Sequence, residues 1–390
     1  MSPPAADDGP DYDPDGPLRA DPDAVAQWLE WETHANLAGF RTQADPVEVE
    51  VAWVPRDALE IHVLPGAPLE IVESFLRPDH VCFPRHPLNT DPTVAFFDAP
   101  VRERWTARFT SSRTLALPGP ESGARLASLK LATDHPHRAF LQPEKTRLRE
   151  EAVDAVAWVR VIDRIDRRLE PLEGVALVSE VLVVLVRDGE SGFMVRDLRL
   201  FQDGHYYLPA LSIPFVGPQI ARSLGADFEA LFGEHFAEAV GRAKARLFAR
   251  YGLWYETPNP QNLLLQLDRD LRPTDTLVFR DVGDGECATD AFTATDEPWT
   301  RVTADLRPET ETSFWAFGEA GRNSIAADTL SRWYARHDDA YFGELARWFP
   351  ELASGPEVAP AARLDHWSRA LRSDAAAPVI AAAFERFARR

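Results

Sequence analysis

The sequence predicts an α+β fold, and three observations carry that prediction. Two pairs of apolar runs, 175–186 with 192–200 and 263–267 with 277–279, are each joined by a short polar turn, as antiparallel hairpins are. Two long stretches, 145–169 and 227–251, place apolar residues at helical spacing. Strands and helices do not alternate in the regular order of a doubly wound parallel sheet.

In chain order, residues 1–22 read as an acidic, proline-rich disordered tail, too polar to bury the surface that folding needs. Asp21-Pro22-Asp23 is a helix-start signal, and the helix it opens carries Val25, Trp28 and Leu29 before a stop at Gly39. Val47, Val49, Val51 and Trp53 alternate with Glu48, Glu50 and Ala52, a half-buried strand ended by Pro55. The stretch 65–100 is proline-rich and expected to be irregular, with the string FPRHPLN at 83–89. The helix at 145–169 has Val153, Val156, Val159, Ile162 and Ile165 on its apolar face, and the helix at 227–251 ends at Gly252. From 324 onward the chain reads as helices whose aromatic residues, Trp333, Tyr341, Trp348 and Phe349 among them, form a packing surface. The expected organisation is a phosphate-binding region over 23–170, a sheet with nucleotide and metal motifs over 171–310, and a helical region over 311–390.

Composition narrows the function. Among 390 residues, Lys+Arg number 42 and Asp+Glu 62, a formal net charge of −20. Such a chain repels phosphodiester backbones and anionic lipid surfaces, so no nucleic-acid or membrane partner is expected. The acidic excess is assigned to the N-terminal tail and to helix surfaces such as Glu150-Glu151. Two distant cysteines, Cys82 and Cys287, suit a reducing, cytoplasmic setting and exclude an iron-sulfur centre. The longest apolar run is too short to span a membrane, and the N-terminus lacks the apolar segment of a signal peptide.

Four strings combine polar side chains with apolar flanks. The first joins Ser111, Arg113 and Thr114 to Lys130, Thr133 and Arg138. Three cations and several hydroxyls in an acidic protein suit a triphosphate, since Arg gives bidentate contacts, Lys a compact charge and hydroxyls neutral donors. The competing reading is a solvated loop and strand. The second string, 256–262, holds Glu256, Asn259 and Asn262 before an apolar strand, and the third, 279–285, holds Arg280 and Asp281. An amide oxygen and a carboxylate at the ends of neighbouring strands are hard ligands suited to Mg²⁺ with substrate phosphates; the competing reading is two polar turns. The fourth is His86-Pro87, where a rigid loop histidine competes with a functional one. P-loop, dinucleotide-fingerprint and HExxH motifs are absent.

The order of these strings resembles the IucA/IucC family of NRPS-independent siderophore synthetases. The family's Ser-x-Arg-Thr string matches Ser111, Arg113 and Thr114, and its Lys-Leu matches Lys130-Leu131. Its Thr and Arg segment is represented by Thr133 and Arg138, and its Arg-Asp motif by Arg280 and Asp281. More loosely, His86-Pro87-Leu88-Asn89 sits where the family has HPWQ, and Gly39-Phe40 ends a segment where it has HPxxKxRxGF. The resemblance implies a cupped-hand architecture and a truncated N-terminal region, because family members are longer. It further implies ATP and Mg²⁺ as cofactors and adenylation of a carboxylic acid, followed by condensation with an amine or alcohol, with a homodimer as the assembly. By the same resemblance Ser111, Arg113, Thr114, Lys130, Thr133, Arg138, Glu256 and Asn259 would bind ATP, and Asn262 and Asp281 the metal. Lys130, Arg138 and His86 would take catalytic roles, His86 as a contact to the acid or a proton acceptor. One departure is that the family's ExHxQN reads ETPNPQN here, one residue longer and without the histidine. Two readings compete with a ligase: a kinase or acyl-phosphate ligase, and a scaffold that has lost catalysis.

Overall fold

The computed structural model describes residues 18, 20–35, 46–111, 113–119, 125–134, 145–167, 169–255, 260–288, 302–303 and 325–353, with isolated positions at 314, 317, 366–367, 369–370, 378–379 and 382. The chain divides into two compact units, Met1–Val156 with Val178–Tyr206, and Ala157–Leu177 with Tyr207–Arg390.

The first unit opens with α1 (Ala24–Ala35), started where the sequence signals it: Asp23 Oδ1 accepts from the N–H of Val25 at 2.9 Å. Then come β1 (Val47–Pro55), β2 (Leu59–Val63), α2 (Leu69–Phe75), β3 (His80–Pro84), β4 (Val101–Phe109), β5 (Thr114–Gly119) and β6 (Arg125–Leu131). The helix α3 (Lys145–Asp166) follows, and the boundary between units falls inside it. After β7 (Val175–Val178), which pairs in the second unit's sheet, β8 (Glu180–Val186) and β9 (Gly192–Asp197) complete the first sheet. Its eight strands run in the order β2-β8-β9-β6-β5-β4-β1-β3, antiparallel throughout. One face is apolar: Leu115, Leu129, Val195 and Leu182 oppose one another across β5, β6, β9 and β8 and join Phe75, Phe83 and Trp105 in a core. Each fully buried side chain of this kind contributes about 1.5–3 kcal/mol.

Two expectations are corrected here. The run 175–186 is not one strand; it breaks at Ser179 and serves two sheets, with buried Glu180 turned onto Arg196 of β9 at 2.9 Å. The stretch 65–100 is not irregular throughout. Pro68 caps α2, which buries Ile71 and Phe75, and the short run Val81-Cys82-Phe83 is apolar enough to pair fully with β1.

In the second unit, β10 (Tyr206–Pro209) leads into α4 (Ile213–Ser223) and then α5 (Phe228–Phe232). A π-turn over Gly233–Glu238 carries α5 into α6 (Ala239–Tyr251), so the expected single helix contains one widened turn. It ends at Gly252 in the left-handed region, φ 68°, as the sequence predicts. The remaining strands are β11 (Leu253–Trp254), β12 (Leu263–Leu267), β13 (Pro273–Arg280), β14 (Glu286–Ala288) and β15 (Val302–Thr303). The hairpin β12–β13 forms as expected, antiparallel with Leu263 opposite Phe279, in a sheet ordered β10-β12-β13-β7. Its turn is held by Asp268 Oδ1, which accepts from the N–H groups of Asp270 and Arg272.

The helices α7 (Ala327–Trp348) and α8 (Pro350–Ala353) follow. Trp333, Tyr341, Leu345 and Phe349 are fully buried and pack the core of this unit. Both cysteines are buried, and neither forms a disulfide. No described helix is long and apolar enough to cross a membrane.

Candidate functional site

The turn between β4 and β5 is tight: the N–H groups of Thr110 and Ser111 both donate to the carbonyl of Thr114, at 2.9 and 3.2 Å. That turn delivers Arg113 beside β6, where its carbonyl accepts from the N–H of Leu131 at 2.9 Å. Thr114 lies directly opposite Lys130, so both project from one face of the sheet. The same face carries Ser128 and Arg196, while the flanking residues Leu115 and Leu129 point into the apolar core.

The cations are not solvated. Arg113 is 8% exposed and Lys130 4%. Both reach one carboxylate of α3: Arg113 Nη2 donates to Glu151 Oε1 and Oε2, each at 2.7 Å, and Lys130 Nζ lies 2.8 Å from Oε2. Glu151 is itself only 4% exposed, which corrects its placement among inexpensive surface charges. The signal for it was available. Leu148, Ala152 and Ala155, on the same helical face, are buried, and a glutamate among them needs cationic partners. Asp154, on the next turn, is buried as well.

Beside this cluster, the FPRHPLN loop docks on the residues that follow β6. Asn89 Oδ1 accepts from the N–H of Asp134 at 2.9 Å, and the Asp134 carboxylate accepts from the N–H groups of Thr90 and Asp91. His86 and Thr133 are both buried, with Thr133 Oγ1 3.3 Å from His86 Nδ1. The N–H of Leu88 donates to the same Nδ1 at 3.2 Å. With Nδ1 accepting, the ring proton of the neutral histidine is assigned to Nε2.

In the second unit, the hairpin β12–β13 brings the other candidates together. Arg280 Nε donates to the carbonyl of Gln261 at 2.8 Å, across the end of the hairpin from Asn262. The Tyr255 hydroxyl donates to the carbonyls of Arg280 and Asp281, at 2.9 and 2.6 Å. Asp281 adopts the left-handed conformation, φ 65° and ψ 48°, and heads a single 3₁₀ turn over Val282–Asp284. For a residue other than glycine this geometry costs about 1–2 kcal/mol, least for Asp and Asn. Asn262, 7% exposed, donates through Nδ2 to Asp284 Oδ2 at 3.1 Å. Asp284 is a residue the sequence reading passed over, although it stands three places after Asp281.

The structure thus collects His86, Arg113, Thr114, Lys130 and Thr133 in the first unit, with Ser111 half-buried in the turn that carries Arg113. It collects Asn262, Asp281 and Asp284 in the second. Arg138, Glu256 and Asn259 lie outside the described residues. Among the described residues, no group of three or more His, Cys, Asp or Glu side chains is arranged to hold a metal ion by itself. Asn262 and Asp281 carry the hard oxygen donors that Mg²⁺ takes in small number when phosphates and water complete its shell, so the donor set fits that ion.

The mixed α+β fold, with its large antiparallel sheet, is shared with solved structures of siderophore biosynthesis enzymes. Of the solved structures it resembles, ATP-bound aerobactin synthetase IucA from a hypervirulent pathotype of Klebsiella pneumoniae matches with a TM-score of 0.50 and 15% identity, over 78% of this chain and 63% of that one. Aerobactin synthetase IucC from the same pathotype matches with a TM-score of 0.52 and 15% identity, over 83% and 65%. The petrobactin biosynthesis protein AsbB of Bacillus anthracis str. Sterne matches with a TM-score of 0.57 and 10% identity, over 86% and 64%. The chain therefore spans a little under two thirds of each of these proteins. No family model matches the sequence, and no curated protein matches it either.

Proposed function

We propose that the chain is an ATP- and Mg²⁺-dependent ligase that adenylates a carboxylic acid and condenses it with an amine or alcohol, in siderophore-like or other specialised metabolism in the cytoplasm. The observation that carries this reading is the buried pair Arg113 and Lys130 on a fold shared with siderophore synthetases, one of which holds ATP. Burying two cations side by side is costly unless anions meet them; Glu151 supplies one, and a triphosphate is another anion of matching chemistry.

The residues take roles that follow from their chemistry. Arg113 and Lys130, with Arg138 and the hydroxyls of Ser111, Thr114 and Thr133, would hold phosphate oxygens and stabilise the charge that grows on the α-phosphorus. Glu256 and Asn259 would contact the nucleotide. A carboxylate oxygen of the acid attacks that phosphorus and pyrophosphate leaves, giving an acyl-adenylate; the amine or alcohol then attacks the acyl carbon, gives up its proton and releases AMP. His86, buried beside Thr133, would contact the acid or accept a proton from the amine. Asn262 and Asp281 would hold Mg²⁺, with Asp284 orienting the Asn262 amide. When bound, the ion would supply positive charge that offsets the repulsion between phosphate and the incoming acid. A homodimer belongs to the same proposal.

Hydroxylamine trapping over a panel of carboxylic acids tests this, because an activated acyl group is captured whatever its natural acceptor. The expected result is hydroxamate with pyrophosphate and AMP, lost in Lys130→Ala and Asp281→Ala. Release of ADP would move the assignment to a kinase or an acyl-phosphate ligase. One observation favours the scaffold reading, since Glu151 already supplies an anion to both cations. A calorimetric titration showing no uptake of Mg·ATP would establish it.

A further inference from the structure

The carbonyls of Arg280 and Asp281 both accept from the Tyr255 hydroxyl, at 2.9 and 2.6 Å. Consecutive carbonyls of an extended strand point to opposite sides, where one donor does not reach both. A backbone of helical conformation, of either hand, turns them the same way, and Asp281 supplies that turn with φ 65° and ψ 48°. The shared hydroxyl and the left-handed residue therefore belong together. In a residue other than glycine this conformation persists only where the surroundings fix it.

The donor is itself held in place. Tyr255 is 2% exposed, and its ring centroid lies 5.5 Å from that of Phe279 on β13. It directly follows β11, which pairs with β14 through Leu253 opposite Cys287 and Trp254 opposite Glu286. Beyond the turn, the N–H of Asp284 donates to the same Asp281 carbonyl at 2.8 Å. The two carbonyls that Tyr255 holds belong to the peptide planes on either side of the Asp281 Cα. With both planes fixed, the direction in which the Asp281 side chain leaves the backbone is fixed as well.

Resting on the ligase reading, we propose that Tyr255 is a positioning residue for the candidate Mg²⁺ site: its hydroxyl holds Asp281 in the left-handed turn and so aims the carboxylate that would serve the ion with Asn262. Tyr255 acts through the Asp281 backbone. Loss of the hydroxyl leaves the carboxylate present but no longer aimed, so the cost falls on the metal rather than on the nucleotide.

Calorimetric titration of the full chain with ATP, in excess Mg²⁺ and in EDTA, tests this in wild type, Tyr255→Phe and the double variant Tyr255→Phe/Asp281→Gly. The ratio of the two affinities is the gain due to the ion. Tyr255→Phe keeps the ring beside Phe279 and is expected to cut that gain about tenfold, while affinity in EDTA changes by less than about twofold. A merely structural tyrosine would lower the urea midpoint and leave the gain as in wild type. That result overturns the inference, while Mg²⁺-dependent binding by wild type keeps the ligase reading. If Tyr255→Phe does not fold, the double variant decides, because glycine takes the left-handed turn unaided and is expected to restore folding. Failure of both variants to fold overturns the inference, and absence of ATP binding by wild type removes the ligase reading with it.

Discussion

Glu151 and Lys130 meet at 2.8 Å with neither side chain more than 6% exposed, and Arg113 shares the same carboxylate. The members of this buried trio are not equivalent.

Replacing Lys130 with methionine keeps the pair of Arg113 with Glu151, whereas replacing Glu151 with leucine removes the carboxylate that both cations reach. The glutamate variant is therefore expected to lose about 3–5 kcal/mol of unfolding free energy and the lysine variant clearly less. Urea unfolding of both measures the order, and a Lys130→Met loss equal to or greater than that of Glu151→Leu would contradict it.

Asp281 holds a left-handed backbone and offers a carboxylate, and two substitutions separate these roles. Asp281→Gly suits the backbone, while Asp281→Ala keeps the strain and is expected to be about 1 kcal/mol less stable than the glycine variant. Both should lose the Mg²⁺ dependence of ATP binding. A glycine variant whose ATP affinity still rises with added Mg²⁺ would remove Asp281 from the metal site.

Gly241 lets α6 approach α7 closely: a Cβ there would stand 2.2 Å from the carbonyl of His337. Because that neighbour is backbone, the helices must separate to admit it. Gly241→Ala is expected to destabilise the protein by about 1–3 kcal/mol despite alanine's better helix propensity, seen as a lower melting temperature. An unchanged or raised melting temperature would refute the close contact.

His337 lies in the same interface, fully buried beside Tyr341, and burial lowers its pKa from 6.5 to about 4, with Lys244 adding to the effect and Asp338 opposing it. The unfolded chain takes up a proton below about pH 6.5 while the folded protein resists until about pH 4. Stability contributed by neutral His337 is present above pH 6.5 and lost as pH falls through that window, by about 1.4 kcal/mol per unit. His337→Phe should flatten this part of the stability profile; an identical acid slope in the variant would show that other groups set it.

These relationships differ in how far the sequence discloses them. The start of α1 at Asp23, the stop at Gly252 and the β12–β13 hairpin rest on local chemistry and are legible residue by residue. The alternation of Trp105, Ala107 and Phe109 was equally local, yet the three charges Arg102-Glu103-Arg104 ahead of it hide β4. The break at Ser179 was not legible, because both halves of 175–186 are equally apolar and their separation depends on which sheet each joins. Glu151 and Asp284 share another cause: an acidic residue's role is set by what lies across from it, and the partners of Glu151 are 21 and 38 positions away.

The strand order of the first unit sets a condition on how it forms. β2 pairs with β8 and β6 with β9, so the hairpin over 180–197 fills a gap between strands completed by residues 63 and 131. Until that hairpin emerges, β2 has no partner and β6 presents a bare edge, the kind of surface that recruits other chains. Chains ended before residue 197 should therefore aggregate rather than accumulate as a smaller folded domain, and the pairing of β2 with β8 makes sheet closure a late event in folding.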